Sequence, residues 1–305
     1  MKYLIVFLLS LCSVTAYAVD YYVDFTTGSD LNDGSISSPF KNHIGMNEFT
    51  GTTNVAPGDT IHMKCGEIWS VADPANVKGY INVSVNMTNG TLGNVIRTTS
   101  YGSCTGTNDP IIEITTLVDK AVIYGKDEVA FLQFDNLEIR HAVTGHESLG
   151  YHGFRFFSNG NGNHIHDITI KDCKIHNVNY GVWINYDSYN IIVGDPNQTI
   201  RATPTSHSNE IYNFCNGGVG IAGGNLETGI AANNVSYNYI HDTFRNFAEM
   251  GVCAQGNYDT YGITMGGSIF STTTAHSVVA NNNHVENIET WTAIDGHDEV
   301  NATCN

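Results

Sequence analysis

The 305-residue chain carries a formal net charge of −17, and its thirteen lysines and arginines offer no basic stripe able to neutralise a phosphate backbone, which excludes nucleic acid as a partner. Hydrophobic residues make up 41% of the sequence, enough for a substantial core, but only 14% are charged. The surface must therefore be built mainly from neutral polar groups rather than ion pairs.

The chain opens MKYLIVFLLSLCSVTAYA, with Lys2, an apolar run from Tyr3 to Leu11 and the small-residue pattern Ala16-Tyr17-Ala18. This is the pattern of a secretory signal cleaved after Ala18, so residues 1–18 are expected to be removed and the mature chain to be secreted or held at the cell surface, extracellular or periplasmic. No later window approaches the ~18 continuous apolar residues of a membrane helix, and no membrane span is expected. Residues 19–305 are expected to form a single domain acting as a monomer.

Next along the chain, Asp30-Leu31-Asn32-Asp33-Gly34 looks like the start of a calcium loop but lacks the glutamate at the twelfth position; it is read as a turn. Removing Cys12 with the signal leaves Cys65, Cys104, Cys173, Cys215, Cys253 and Cys304, none in C-x-x-C spacing, in a chain whose export permits disulfides. Cys65 with Cys104 is the favoured bridge in the N-terminal region. Surface carboxylates could collect Ca2+, the one cofactor expected here.

From Asp135 onward a pattern repeats: DNLEIRHA from Asp135, DCKIHNV from Asp172, NEIYNF from Asn209, NYIHDTF from Asn238 and NHVENI from Asn283. Each is a short strand centred on an apolar residue, Ile139, Ile175, Ile211, Ile240 or Val285, and followed by a polar turn. Unequal spacing between repeats points to variable loops between fixed strands. Asp242 falls under Asn177, Asn213 and Asn287 in a column of turn residues whose side chains can satisfy backbone groups from coil to coil. His241 and Asp242 are accordingly read as structural rather than as a catalytic dyad.

A second strand is expected after each turn: YHGFRFF from Tyr151, NYGVWIN from Asn179, NGGVGIA from Asn216, EMGVCAQ from Glu249 and WTAIDGH from Trp291. Period-two alternation sends Phe154, Val182, Val219, Val252 and Ile294 inward, with Phe156, Ile184, Ile221 and Ala254. No helix-period run separates the strands. An all-β chain of stacked parallel strands, a right-handed parallel β-helix solenoid with irregular loops, accounts for the pattern.

The segments YYVDFTTGSDLNDGSISSPFKN (Tyr21 to Asn42), PGDTIHMKCGEIW (Pro57 to Trp69) and GNVIRTTSYGS (Gly93 to Ser103), with the later coils, resemble secreted pectate-lyase-like β-helix proteins over essentially the whole mature chain. The resemblance implies the same fold and a polysaccharide partner. The superfamily includes polysaccharide lyases, glycoside hydrolases, epimerases and non-catalytic surface proteins; its lyases use Lys or Arg as base, often with bound Ca2+. Two features depart from it. Residues 41–56, where relatives carry a capping helix, read KNHIGMNEFTGTTNVA, a poor helix. The chain also ends at HDEVNATCN without a polar terminal cap, so the solenoid is expected to be truncated at its C-terminus.

Outward residues of stacked coils form columns, here Tyr151, Asn179, Asn216, Glu249, Trp291; then Gly153, Gly181, Gly218, Gly251, Ala293; then Arg155, Trp183, Gly220, Cys253, Asp295; then Phe157, Asn185, Ala222, Gln255, His297. The Gly/Ala column would be a shallow trench for a glycan, or else a place where another backbone segment packs closely. A lyase needs a base beside a uronate carboxylate and a cation to neutralise it. Arg155, Arg245, Glu249, Asp295 and His297 are the candidates for those roles or for calcium, and Tyr151, Trp183, Asn185 and Trp291 for sugar contacts. Glu249 and Asp295 lie about 13 Å apart along the strand direction, too far for a glycosidase pair. Asp295 and His297 share one face of one strand. The leading expectation is a polysaccharide lyase acting on a uronate-containing glycan; the alternative is a non-catalytic, adhesin-like glycan-binding solenoid.

Overall fold

The structure is a computed structural model of the chain. It describes residues 17–73, 78–105, 108–116, 118–142, 152–158, 163–185, 188–222, 232–243, 261–266, 276–288, 292–297 and 300–304.

Among the described residues strand pairs with strand in parallel, inner strands being bonded to their equivalents one coil earlier and one coil later. Among the described residues, one sheet of nine strands begins at Asp20–Val23 and ends at Val300–Cys304. A second, of twelve described strands, folds into two faces. The first face runs from Ile68–Val71 through Ile111–Ile114 and Glu138–His141 to Tyr239–Thr243 and His284–Glu286. The second runs from Gly79–Asn82 through Ala121–Lys126 and His152–Phe157 to Tyr261–Gly266 and Thr292–His297. Two long strands, Lys174–Asn185 and Glu210–Ala222, pass through both faces. The only helix among the described residues is the single turn Val83–Asn86. This is the right-handed parallel β-helix that the repeat pattern implies.

The core is a set of apolar columns along the solenoid axis. The repeat centres stack in register, Ile112 on Ile139, Ile175, Ile211, Ile240 and Val285. On the second face the column is Ile81, Ile123, Phe154, Val182, Val219, Ile263 and Ile294. Ile139, Ile175, Ile211, Phe154, Val182 and Val219 are wholly buried. β-Branched side chains suit this packing because their stiff χ1 holds each methyl against the coil above and below.

One register expectation needs correction. The coil after Glu210–Ala222 is supplied by Tyr261–Gly266, with Ile263 rather than Val252 under Val219. EMGVCAQ and YGITMG share the Gly-then-β-branched signature, and pattern alone chose the segment nearer the turn. Val252, Ala254, Gly251, Cys253 and Gln255 lie outside the described residues.

The corner between the two faces is made by one residue in the left-handed region. Asn177, Asn213, Asp242 and Asn287 have φ of 56°, 49°, 51° and 55°, a conformation that short amide and carboxylate side chains tolerate best after glycine. Their side chains ladder along the axis, Asn213 Nδ2 donating to Asn177 Oδ1 at 3.4 Å and Asn287 Nδ2 to Asp242 Oδ1 at 2.9 Å. A second ladder is internal. Asn209 and Asn238 are fully buried; Asn209 Oδ1 accepts from the Cys173 amide, and Asn283 Oδ1 from the Asn238 amide. Their amide nitrogens donate to the Ile170 and Val193 carbonyls, so backbone groups at this turn find partners without water.

At the N-terminal end, residues 41–56 form turns rather than a helix, and Ile44, Met46 and Val55 cover the first coils as buried side chains. Asp30 ties this cap down by accepting from the amides of Lys41, Asn42 and Thr50 and from Asn42 Nδ2, which is a turn-organising role. Cys65 and Cys104 form a disulfide, and Cys173 is a buried free thiol. No described helix is long and apolar enough to cross a membrane.

Since each core residue is held by the coils above and below it, Ile211→Ala should cost about 3 kcal/mol in a urea unfolding experiment. Ile200→Ala, at a position 69% exposed, should change stability by less than about 0.5 kcal/mol.

Candidate functional site

On the first face, the residues flanking each repeat centre point outward and make two adjacent columns. Glu113, Arg140, His176, Tyr212, His241 and Glu286 form one; Glu138, Lys174, Glu210, Tyr239 and His284 form the other. One strand spacing separates the members, ~4.8 Å, so rings in matching positions stack. His176 and Tyr212 lie 4.6 Å apart at 8°, Tyr212 and His241 5.3 Å apart at 13°, and Tyr239 lies 3.9 Å from His241.

Charges close this stripe on itself. Arg140 donates to Glu113 and to Glu138, each at 2.8 Å, and His176 Nε2 is 3.2 Å from Glu138. His241 sits between two carboxylates, Nε2 at 3.4 Å from Glu210 and Nδ1 at 2.9 Å from Asp242. Tyr239 donates its hydroxyl to Glu286 at 2.5 Å, and His284 Nε2 lies 2.9 Å from the other oxygen. Although they point outward, His176, Tyr239 and His241 retain 7%, 8% and 9% of their exposure because each ring covers the next.

Burial by itself would lower the His241 pKa, but the hydrogen bonds to Glu210 and Asp242 outweigh it and raise the group above its ordinary value. Glu210 is lowered, chiefly by its hydrogen bond to His241. For Glu138 burial works upward, and the hydrogen bond and charge of His176 with the charges of Arg140 and Lys174 overcome it to give a lowered pKa. Burial pushes the Tyr212 hydroxyl up to about 12.

Around the Asn corner, the second face carries the positions singled out from sequence. Arg155 pairs in register with Tyr124 on one side and Trp183 on the other, and Trp183 with Gly220. The Arg155 Nε is buried with no hydrogen-bond partner, and no described carboxylate pairs with the guanidinium. Burial raises the Tyr124 pKa while the Arg155 charge opposes the rise. Asn185 follows Phe157 in the next column and is half-buried.

The glycine column is no trench. A Cβ on Gly153, Gly181 or Gly218 would stand 2.5–2.6 Å from the carbonyl oxygen of the glycine one coil on, and 2.6 Å from Cγ2 of Ile175, Ile211 or Ile240. These glycines let successive coils close over the isoleucine column at the corner, so among the described residues the close approach comes from neighbouring coils; the loops near Gly145 and Gly223 lie outside the described residues.

Asp295 and His297 belong to strand Thr292–His297, where Asp295 stands in the Arg155 column beyond Trp183, Gly220 and Thr264. Four strand spacings, ~19 Å, therefore separate Arg155 from Asp295, and the fold does not bring them to one bond. Tyr151, Arg245, Glu249 and Trp291 lie outside the described residues. The His176, Tyr212 and His241 stack was not picked out from sequence as a feature. Its signal was the position after each repeat centre, which reads Arg, His, Tyr, His and Glu; only His241 drew attention there, as part of the turn.

The resemblance to pectate-lyase-like proteins implies Ca2+, and the described residues present no ready cluster of oxygen ligands for it. Among the described residues the one convergent trio of ligand-type groups, Cys65, Cys104 and Asp109, has both sulfurs in the disulfide.

No protein-family model matches the chain, and no curated protein matches it in sequence. Solved structures do match in shape. The GH136 lacto-N-biosidase from Eubacterium ramulus superposes with a TM-score of 0.55 at 13% identity, covering 93% of this chain and 56% of that one. Pectate lyase Pel9A gives 0.50 at 14% identity, covering 95% and 79%. The likeness is one of fold. The chain thus spans little more than half the length of the lacto-N-biosidase structure.

The charge stripe generates a pH dependence. A histidine whose folded pKa is raised contributes stability that is fully present below its ordinary 6.5 and is lost as pH rises through the folded value. Glu210 and Glu138, being lowered, contribute stability present above their ordinary 4.5 and lost as pH falls through their folded values. The stability difference between the wild-type chain and His241→Gln should accordingly be largest near pH 6 and shrink toward about pH 8, read from denaturant midpoints across that range.

Proposed function

We propose that the chain is an exported, polysaccharide-active β-helix protein, a lyase acting on a uronate-containing glycan bound along the second face. The observation carrying this reading is Arg155, a half-buried guanidinium beside Trp183 and uncommitted to any described carboxylate. Removing the proton next to a uronate carboxylate requires that carboxylate to be neutralised, and a planar fork of donors aimed from a rigid strand serves that need. The shared fold with a pectate lyase and a glycoside hydrolase supports the broader assignment to polysaccharide chemistry.

Hydrolysis fits less well. A hydrolytic pair needs one carboxyl kept protonated beside one kept ionised. Glu138 and Glu210, two strand spacings or ~9.6 Å apart, are both lowered.

A second reading, glycan binding without catalysis, is favoured by one observation. The hydroxyls of Tyr124, register partner of Arg155, and of Tyr180, which leans on Trp183, are both shifted up by burial, the latter to about 12, which keeps each protonated and unavailable as a base. Asp295 and His297 lie on a strand four coils from Arg155, so Arg245 and Glu249 are the candidates proposed for that role, and Ca2+ remains a proposal tested by the same assay.

The assay follows the ultraviolet absorbance of unsaturated uronate product on pectate, alginate and glycosaminoglycans, with and without Ca2+. Product should form on at least one substrate, and Arg155→Ala should lower kcat/KM by about 100-fold or more with an unchanged melting transition. Absence of product on all substrates, with measurable glycan affinity, would establish the binding reading instead.

A further inference from the structure

Two aromatic rings on the second face lie down along the sheet. At Gly217 a Cβ would come within 2.4 Å of Tyr180 Cε1, and at Gly220 within 2.4 Å of Trp183 Cε3 and 2.5 Å of its Cζ3. Tyr180 is the register partner of Gly217 and Trp183 that of Gly220. Each ring therefore fills the volume that a side chain on the next coil would occupy. The ring centroids are 4.5 Å apart with their planes 43° apart, so Tyr180 leans against Trp183 from the side. Thr264 Cγ2, 3.3 Å from the same Gly220 Cβ position, borders the far edge.

Glycine in a strand interior weakens the strand, and this pair sits on the same coil, three residues apart in Glu210–Ala222. These two glycines differ from Gly153, Gly181 and Gly218, whose Cβ positions are blocked by backbone and core isoleucines. Here the obstruction is an aromatic side chain that an ordinary residue would lift off the sheet. Trp183 is held with one face on the glycine backbone, yet it stays partly exposed. A flat indole face of this kind complements the apolar C–H face of a pyranose ring. Arg155 stands one coil away in the same column, within reach of an acidic substituent on that ring.

We propose that Trp183, bedded on Gly220 and braced by Tyr180, is a pyranose-stacking platform. Gly217 and Gly220 act as positioning residues, and the sugar's acidic group is directed to Arg155. The inference rests on the acidic-polysaccharide reading above for its ligand class, and goes beyond it in assigning a binding role to two residues that have no side chains.

Calorimetric titration of the full-length chain with galacturonate and mannuronate oligosaccharides, and with a neutral glucan oligosaccharide, tests it. Trp183→Ala and Gly220→Ala should each weaken binding of an acidic oligosaccharide by about tenfold or more, at an unchanged melting transition. Trp183→Phe, which keeps a ring on the glycine bed, should fall between them and wild type and guards against a Gly220→Ala chain that folds poorly. Arg155→Ala should erase the preference for acidic over neutral probes. Wild-type affinity in Trp183→Ala, wild-type affinity in a folded Gly220→Ala, or no binding of any probe by the wild-type chain would overturn the proposal. Binding that depends on Trp183 and Gly220 without any unsaturated product would sink the lyase reading and leave the platform standing.

Discussion

The strand spacing of a parallel ladder governs this molecule. Every coil must place an apolar side chain directly over its predecessor about 4.8 Å away, and the run Ile112, Ile139, Ile175, Ile211, Ile240 and Val285 shows how narrow the allowed choice is. Once that column is in register, all other positions inherit a column of their own. Rings stack, amides ladder and carboxylates meet cations because the backbone has already set their separation. Chemistry on such a scaffold is a property of columns, and residues far apart in the chain become neighbours along the axis.

The low charged content of the chain becomes intelligible in this light. Amide ladders at Asn177 and Asn213, and at Asn209, Asn238 and Asn283, satisfy turn groups that charged residues could satisfy only at a desolvation cost. Where charges do occur in a stripe they are interleaved, with Glu113, Arg140, Glu138 and His176 in one run and Lys174, Glu210, His241 and Asp242 in the next. Like charges one strand spacing apart would repel, so alternation is what permits a titratable column at all. The same closure leaves that stripe with little capacity to engage a ligand. The second face, with fewer ionisable groups, holds the guanidinium that no described carboxylate claims.

Glycine plays two distinct parts on that second face. Gly153, Gly181 and Gly218 allow backbone to approach backbone behind the core isoleucines, whereas Gly217 and Gly220 make room for rings. A sequence shows only a run of glycines. Which of them face a carbonyl oxygen and which face an indole depends on the coil above, and therefore on a register that the glycines themselves do not specify.

Sequence alone favoured the Cys65 to Cys104 bridge, which the tertiary structure decided; it determined the all-β solenoid, the apolar columns from Ile139 to Val285, the asparagine corner containing Asp242 and the absence of a capping helix in residues 41–56. Each of these follows from local pattern, since alternation, turn residues and spacing are written within one coil or repeated in the next. Tertiary structure decided which segment completes a coil when two carry the same signature, and so chose Ile263 over Val252. It also decided that the glycine column is closed, that Arg155 and Asp295 stand four coils apart, and that His241 is gripped between Glu210 and Asp242. These depend on loops of unequal length inserted between strands. Loop length changes which residues meet without changing the pattern of any strand, and for that reason it could not be read from the strands themselves.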